Sequence, residues 1–452
     1  MDINFLRTNF LVFTYRAFNW KTDGKDLLIR FQMGNTKYIF SPTLIIKNVN
    51  TSLDNIDRGI IDNLVFHLGL CEIFTYWKPF CSPTINIEAG YLDDLQLKFW
   101  RVLFEKGMGQ YYFENQIDFT VPDFLKIKTN NDPQAINLYE PQSDNVLIAI
   151  GGGKDSATTL DIIAKKFKTD NISVFTLNED TYPAIAKIIA ASGNPRKIVV
   201  QRKIDPLLLK LNRDGFPNGH TPFSSYLAFL SVLIAVVTNS KDIILSNESS
   251  SNEGNAEYLG QNINHQYSKS VEFEKDFREY NGKYLSTTNY FSLMRPLYEL
   301  QISKLFAGLD KYHRLFISCN RGKTHWCGKC PKCASTFLGL YPFLENAQMK
   351  AIFGKNLFED LELVETYRRM VDPLRIKPFE CVGTLEETRI AMYLSYKKDG
   401  NKSNSALMNY FEKEILPLYN NWDEKAENLL KFWDKDNYLN GEYTVILKNA
   451  YV

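Results

Sequence analysis

The 452-residue sequence has little net charge and no apolar run long enough to cross a membrane. Its 53 Lys and Arg balance 52 Asp and Glu to a formal charge of +1, so no overall basic field favours nucleic acid or an anionic membrane as a partner. The longest apolar stretch, 226–237, is shorter than the roughly 20 residues that a spanning helix needs and predicts a buried helix. The first residues lack a basic segment followed by an apolar core, so we expect no signal peptide and a cytoplasmic protein.

Cysteine is also scarce, and its distribution is uneven. Of seven cysteines, Cys319, Cys327, Cys330 and Cys333 lie close together. An odd total and a tight cluster argue against a secreted disulfide framework and favour metal chemistry in a reducing compartment. Four thiolates suit the tetrahedral preference of Zn²⁺ and leave no open position, which predicts a structural zinc site. Redox chemistry or an iron–sulfur cluster is the alternative, because iron and zinc share such ligand sets.

The first third of the chain is predicted to be an α+β domain, 1–143. Short aromatic and β-branched runs over 10–49, separated by glycine-containing turns, predict an antiparallel meander. Helical periodicity follows at 56–70 and 92–105. Pro133 belongs to the predicted linker that ends this domain.

Strand and helix patterns alternate after this linker. Continuous apolar runs of this kind are typical of parallel strands that are covered on both faces. The runs lie at 146–150, 173–177, 197–200 and 242–246. We therefore predict a doubly wound α/β domain with a parallel sheet over 144–344. The remainder, 345–452, is predicted to be mainly helical, with a final strand at 443–447.

A glycine-rich loop follows the first of these apolar runs. It consists of Gly151, Gly152, Gly153, Lys154, Asp155 and Ser156, and a helical pattern begins directly after it. The glycines allow close approach of the backbone, and the helix N-terminus favours an anion. Lys154 and Ser156 add donors, whereas Asp155 would repel a bare phosphate and so indicates a bridging cation such as Mg²⁺. Asp155 also excludes a Walker A motif, which needs Ser or Thr after the lysine.

This loop resembles the Ser-Gly-Gly-X-Asp-Ser motif of the PP-loop ATP pyrophosphatase superfamily, and Gly151 departs from that motif at its first serine. The resemblance implies that ATP is cleaved to AMP and pyrophosphate while a substrate oxygen is adenylated. Together with the cysteine spacing, the loop is also similar to the 7-cyano-7-deazaguanine synthase branch, which activates a carboxylate with ATP. That branch does not account for the long segments before Asn145 and after Leu344.

Polar side chains between the loop and the cysteine cluster form further candidates. Asn247 and Glu248 follow the fourth predicted strand, at the end of the sheet where such folds bind ligands, and are predicted nucleotide or metal contacts. His220 and His265 are acid–base candidates, because histidine titrates near neutral pH and the chain has only 5. Cys381 is either a thiol base or a buried structural cysteine. The cations that suit a carboxylate or diphosphate are Lys269, Arg295 and Arg321. Lys269 is also a candidate catalytic residue.

Several motifs occur in a fixed order along the chain. They lie at 95–101, 107–113, 151–156, 218–220, 246–248, 264–270, 318–321, 326–333 and 377–383. This set resembles the UDP-N-acetyl-α-D-muramoyl-L-alanyl-L-glutamate epimerase family of peptidoglycan synthesis over most of the chain, and the far C-terminus matches least. The resemblance implies that a UDP-linked muramoyl dipeptide is the substrate and that its terminal L-glutamate is inverted to D-glutamate. ATP would be consumed, and AMP and pyrophosphate released.

Chemistry supplies a reason for the ATP. An α-proton beside an ionised carboxylate is hard to remove, because deprotonation adds a second negative charge to the same centre. Adenylation removes that charge, after which a base takes the proton, reprotonation from the other face inverts the centre, and hydrolysis restores the acid.

Two alternatives remain: an adenylating enzyme of deazapurine or tRNA metabolism, and a non-catalytic nucleotide-binding zinc protein. The near-zero net charge argues against the RNA substrate.

Overall fold

A large mixed sheet runs through the structure, which is a computed structural model. The structure describes residues 1–49, 53, 55–130, 132, 136–402 and 405–451. Pro133, part of the predicted linker, lies outside these ranges. The mixed α/β class and the helical C-terminal region are confirmed. None of the helices in these ranges is both long and apolar enough to cross a membrane.

The sheet has 11 strands in the order β13-β10-β7-β8-β9-β4-β2-β1-β5-β6, with β3 paired to β2. The strands are Val12–Asp23 (β1), Asp26–Gly34 (β2), Ile39–Phe40 (β3), Thr43–Ile46 (β4), Thr84–Ile87 (β5), Lys126–Thr129 (β6), Asn145–Ala149 (β7), Ile172–Leu177 (β8), Arg196–Lys203 (β9), Ser240–Leu245 (β10) and Asn289–Ser292 (β13). A separate hairpin pairs Ala256–Tyr258 (β11) with Gln261–Ile263 (β12). The neighbours from β13 to β9 are parallel, and the predicted meander β1-β2-β4 is antiparallel.

The two faces of the parallel strands belong to two hydrophobic clusters. Along β7, Val146 and Ile148 point into one cluster, and Leu147 points into the other. Side chains alternate between faces along a strand, so a strand buried on both faces needs a continuous apolar run. This is why the apolar pattern predicts the parallel strands correctly.

Helices cover the sheet and form the C-terminal region. The α-helices are Ile3–Asn9 (α1), Arg58–Trp77 (α2), Asp94–Gly107 (α3), Gly109–Glu114 (α4), Lys154–Ala164 (α5), Ala184–Ala191 (α6), Pro206–Arg213 (α7), Phe223–Thr238 (α8), Val271–Tyr284 (α9), Glu299–Ala307 (α10), Pro331–Leu340 (α11), Asn346–Phe353 (α12), Leu361–Val371 (α13), Leu385–Lys398 (α14), Ala406–Tyr410 (α15), Trp422–Lys431 (α16) and Gly441–Tyr451 (α17). The apolar stretch 226–237 lies within α8 and is buried, as predicted.

The predicted final strand is wrong, because 443–447 lies within the helix α17. Its aromatic and β-branched residues favour a strand by composition. Their burial follows the helical period instead: Tyr443, Ile446 and Leu447 are buried, at spacings of three and four residues, whereas Val445 is 57% exposed. Packing of this one face against the rest of the protein selects the helix.

The antiparallel N-terminal strands continue the parallel sheet. Strand β4 pairs with β9, with Leu44 opposite Arg202, so the sheet crosses the boundary predicted at residue 143. On one face, α2 packs against α8, and the apolar side chains of both helices belong to a single cluster. The N-terminal segment therefore forms a common core with the central sheet. The three-domain division remains a prediction.

Candidate functional site

The glycine-rich loop lies where β7 ends and α5 begins. Gly152 has φ +84°, a conformation that side chains rarely adopt, and its carbonyl accepts a hydrogen bond from the Ile317 N–H at 3.0 Å. At Gly153, a Cβ would lie 2.9 Å from Ser318 Oγ. The loop is thus held closely against the segment that leads into the cysteine cluster. The positive φ favours glycine at position 152, and the contact with Ser318 favours it at position 153.

A cavity of about 390 Å³ opens beside this loop. It also reaches the carboxyl end of β10, where ligands bind in open α/β sheets. The sequence-predicted residues that line it are Gly151, Gly153, Asp155, Ser156, Asn247, Glu248, Lys269, Cys319 and Cys381. The structure therefore brings the glycine-rich loop, the polar residues after β10 and a cysteine from the C-terminal region to one place.

A buried network of charges lies behind the loop. Lys154, with a side chain 1% exposed, forms an ion pair with Asp155 and places its Nζ 2.9 Å from Glu299 Oε1. Lys332 Nζ lies 3.5 Å from the same Glu299 oxygen. Burial alone would raise the pKa of Glu299, but Lys154 and Lys332 lower it to about 2. Glu299 is therefore an anion that holds two lysines beside the cavity.

Sequence reasoning missed both Glu299 and Lys332. Lys332 lies between two cysteines of the cluster. The spacing of these cysteines predicts metal ligands and indicates no role for the lysine between them. Its Nζ donates to the Cys381 carbonyl oxygen at 2.6 Å, and it lines the cavity. Glu299 begins α10 and belongs to no motif, so no signal in the sequence distinguishes it from a solvated helix residue.

Cys381 carries an activated thiol. Lys269 Nζ donates to its Sγ at 3.1 Å. Burial raises the pKa of this thiol, but the charge of Lys269 and a side-chain hydrogen bond with His265 outweigh burial and lower it to about 5. The thiolate is therefore the main form of Cys381 at neutral pH. The pKa of Lys269 is raised, since Cys381 and Glu248 outweigh the effect of its burial.

The two candidate histidines lie together, beside the cavity and not among the described residues that line it. Their rings are 4.4 Å apart between centroids. Burial, followed by the neighbouring His265, holds the pKa of His220 well below its usual value. His265 places Nδ1 2.6 Å from Gln110 Oε1. His265 therefore neighbours Cys381, which lines the cavity, and His220 neighbours His265.

The two candidate arginines have different environments. Arg295 is fully buried, pairs with Glu274 at 2.8 Å and donates to the Glu248 carbonyl at 2.7 Å and to the Lys269 carbonyl. Its guanidinium is thus bound by groups of the protein itself, and a contact of Arg295 with substrate stays a prediction. Arg321 is exposed, and it remains a candidate for substrate binding.

Glu248 is buried and lines the cavity. Burial, followed by the nearby charge of Glu299, raises the pKa of Glu248 to about 7. A carboxyl group with such a pKa gains or loses a proton near neutrality, which suits an acid–base group. Among the predicted nucleotide contacts, Glu248 is therefore the one whose charge is most sensitive to what binds in the cavity.

The four clustered cysteines form a compact metal-ligand set. The ligand atoms of Cys319, Cys327, Cys330 and Cys333 all lie within 4.8 Å of one another. Three sulfur–sulfur distances are 3.9, 3.7 and 3.5 Å, close to the roughly 3.8 Å expected for a tetrahedron with Zn–S bonds of about 2.3 Å. The Gly322 N–H also donates to Cys319 Sγ at 3.0 Å. The cluster can hold a metal ion such as zinc.

Comparison with known proteins gives matches over most of the chain. One family model, described as the MurL N-terminal domain, matches residues 4–293, and another, the MurL C-terminal domain, matches residues 314–426. Two curated relatives carry the name UDP-N-acetyl-alpha-D-muramoyl-L-alanyl-L-glutamate epimerase. The protein from Micromonospora sp. is 34% identical over 72% of this chain and 73% of its own length. The protein from Xanthomonas oryzae pv. oryzae is 30% identical over 80% of this chain and 81% of its own length.

Proposed function

The chain belongs to the MurL family, and on that premise we propose that it is an ATP-dependent epimerase of peptidoglycan synthesis. It inverts the terminal L-glutamate of UDP-MurNAc-L-Ala-L-Glu to D-glutamate and releases AMP and pyrophosphate. The names of its relatives support the epimerase activity. The observation that carries the proposal is the shared cavity, in which a phosphate-type loop faces the Lys269–Cys381 pair.

The glycine-rich loop is the proposed ATP site, of the PP-loop type. Its backbone and the N-terminus of α5 suit the polyphosphate, and Lys154 provides a positive charge behind the loop. Asp155 and Glu248 both line the cavity, and their oxygens are the donors that Mg²⁺ prefers. Mg²⁺, when bound there, neutralises phosphate charge. Arg321, exposed beside the cluster, is the proposed contact for the anionic part of the muramoyl substrate.

Adenylation of the glutamate α-carboxylate makes the inversion possible. The carboxylate attacks the α-phosphorus of ATP, pyrophosphate leaves, and the α-proton becomes acidic because the carboxylate charge is gone. Cys381 and His265 are the proposed groups that accept and return this proton. The Lys269 ammonium, beside the thiol, stabilises negative charge that develops on the carbonyl oxygen.

The proposed zinc has a structural role. Its four thiolate ligands leave no position for water or substrate. Cys319 is two residues from Ile317, whose N–H binds the Gly152 carbonyl. A metal at the cluster would therefore fix the segment against which the glycine-rich loop packs, and with it one wall of the cavity.

The test uses the full chain with ATP, Mg²⁺ and UDP-MurNAc-L-Ala-L-Glu in deuterated water. We expect AMP, and D-glutamate that carries deuterium at the α-carbon. Asp155→Asn should abolish both products, whereas Asp144→Asn, a control at an exposed aspartate, should not. Absence of AMP with unchanged L-glutamate would refute the proposal.

The same assay separates the alternatives. AMP formed only with a deazapurine carboxylate would favour the 7-cyano-7-deazaguanine synthase type of reaction. AMP formed only with RNA would indicate a tRNA-modifying enzyme. Loss of AMP formation in Asp155→Asn would exclude a non-catalytic nucleotide-binding protein.

A further inference from the structure

A line of hydrogen-bonded side chains leads from α4 to the cavity thiol. Gln110 Nε2 donates to Glu114 Oε1 at 2.8 Å. This contact fixes the orientation of the Gln110 amide, so its Oε1 accepts the hydrogen bond from His265 Nδ1 at 2.6 Å. His265 therefore carries a hydrogen on Nδ1, and Nε2 is its other ring nitrogen.

The thiol itself is held by a cation. Lys269 Nζ donates to Cys381 Sγ at 3.1 Å, and the neighbouring His265 also lowers the pKa of this thiol. The Lys269 backbone is held in turn, because its carbonyl accepts from Ser251 Oγ at 3.0 Å and from Arg295. The sulfur is thus oriented in the cavity that also contains the glycine-rich loop.

Cys381, His265 and Gln110 match the arrangement of an activated nucleophile: a thiol, a neighbouring base and a third group that orients the base. We propose that Cys381 is a nucleophile that carries the glutamyl group as a thioester during epimerisation. This inference rests on the proposed function. It changes the role of Cys381 from proton carrier to covalent catalyst and makes Gln110 a positioning residue.

The step balances without a further reactant. The Cys381 thiolate attacks the carbonyl carbon of the acyl adenylate, the C–S bond forms, the C–O bond to AMP breaks, and AMP leaves with that electron pair. A thioester gains less resonance from its sulfur than an ester from its oxygen, so its α-proton is more acidic. His265 takes this proton, and the Lys269 ammonium stabilises the enolate oxygen. A water molecule on the opposite face donates a proton to the α-carbon, which inverts the centre, and leaves hydroxide. The hydroxide attacks the thioester carbonyl, the C–S bond breaks, and the thiolate leaves with that electron pair. The carboxylic acid and the His265 imidazolium then each give a proton to solvent.

The experiment traps the thioester in the full-length protein. Wild-type protein is mixed with ATP, Mg²⁺ and substrate labelled in its glutamate, and the reaction is quenched in acid within one turnover. We expect label that stays with the denatured protein, is released by hydroxylamine and maps to the peptide that contains Cys381. Cys381→Ser should lose the label and the epimerisation but keep ATP–pyrophosphate exchange. Cys71→Ala is the control, because Cys71 lies in the hydrophobic cluster shared by α2 and α8, and this variant should keep the label.

Two outcomes would overturn the inference: wild-type protein that epimerises with no trapped label at any time, or label that persists in Cys381→Ser. The first would leave Cys381 as a base, and the proposed function would stand. Absence of ATP–pyrophosphate exchange in the wild type would refute the proposed function itself.

Gln110→Leu tests the positioning role. Without the acceptor for Nδ1–H, His265 loses its fixed orientation, so uptake of deuterium at the α-carbon should slow at least tenfold at an unchanged KM for ATP. Gln110→Glu keeps an oxygen at this position and should restore part of the rate of deuterium uptake. An equal loss of exchange, labelling and deuterium uptake in both variants would assign Gln110 a structural role only.

Discussion

Lys269 Nζ lies 3.1 Å from Cys381 Sγ, although the two residues are 112 positions apart. Lys269 ends a short turn, Tyr267–Lys269, and Cys381 precedes α14. The contact therefore joins the central part of the chain to the C-terminal region at the cavity. It also places a fixed positive charge beside the one cysteine whose role the sequence leaves open.

Lys269→Met should raise the pKa of the Cys381 thiol. The charge of Lys269 is the largest effect that lowers this pKa to about 5, against the opposing effect of burial. His265 and Lys332 lower it further, and both remain in the variant. The pH dependence of iodoacetamide alkylation at Cys381 measures the shift, and we expect its midpoint to move upward by at least one pH unit. Lys106→Met, at an exposed ion pair, serves as the control, and an unshifted midpoint in Lys269→Met would contradict this account.

Glu299→Gln should destabilise the protein strongly. Glu299 pairs with Lys154 and Lys332, and all three are buried. Removing one partner of a buried ion pair costs about 3–5 kcal/mol, because the remaining charges lose their compensation. Urea unfolding measures this loss. Glu272→Gln breaks an exposed ion pair and should change the free energy of unfolding by no more than about 1 kcal/mol. Similar values for the two variants would refute the role of the network.

Glu248→Gln should change how stability depends on pH. The folded-state pKa of Glu248, about 7, lies above its usual value of 4.5, so the folded protein binds the proton more tightly than the unfolded chain. The contribution of Glu248 is therefore fully present below pH 4.5 and is lost as the pH rises through 7. The difference between the two pKa values corresponds to about 3 kcal/mol at most.

We therefore expect Glu248→Gln to be more stable than wild type at pH 8 and similar to it at pH 4.5, while its activity falls. Unfolding by urea at the two pH values tests this. Glu257→Gln, at an exposed glutamate on β11, is the control. A difference from wild type that is the same at both pH values would show that titration of Glu248 is not responsible.

The cysteine cluster should bind one zinc ion per chain. Elemental analysis of the purified protein tests the metal and its identity. Cys330→Ser should lose the metal and lower Tm, since a structural zinc contributes directly to folding. It should also slow ATP–pyrophosphate exchange, because the segment at Ile317 supports the glycine-rich loop. Cys71→Ala should keep its zinc. Iron in place of zinc, with the visible absorption of an iron–sulfur cluster, would contradict the assignment.

Local patterns were sufficient for much of the fold. The apolar run at 146–150 predicts β7 because burial on both faces of a strand leaves few polar positions. The glycines before Lys154 predict the turn into α5 for a similarly local reason. The prediction of a strand at 443–447 was wrong, because the composition of this segment favours a strand while the spacing of its buried residues is helical. Over so short a segment, tertiary packing decides between the two.

The sequence by itself determined most of the element types, the set of four clustered cysteines and the residue types of the candidate site, since these depend on neighbours along the chain. Only the tertiary structure decided which of those residues meet. It paired β4 with β9, buried Arg295 in its own ion pair, and placed Glu299 between Lys154 and Lys332. Such contacts join distant parts of the chain, and no local spacing specifies them. The pKa of a group at the site depends on these contacts and on burial, so the chemistry of Cys381 follows from the fold.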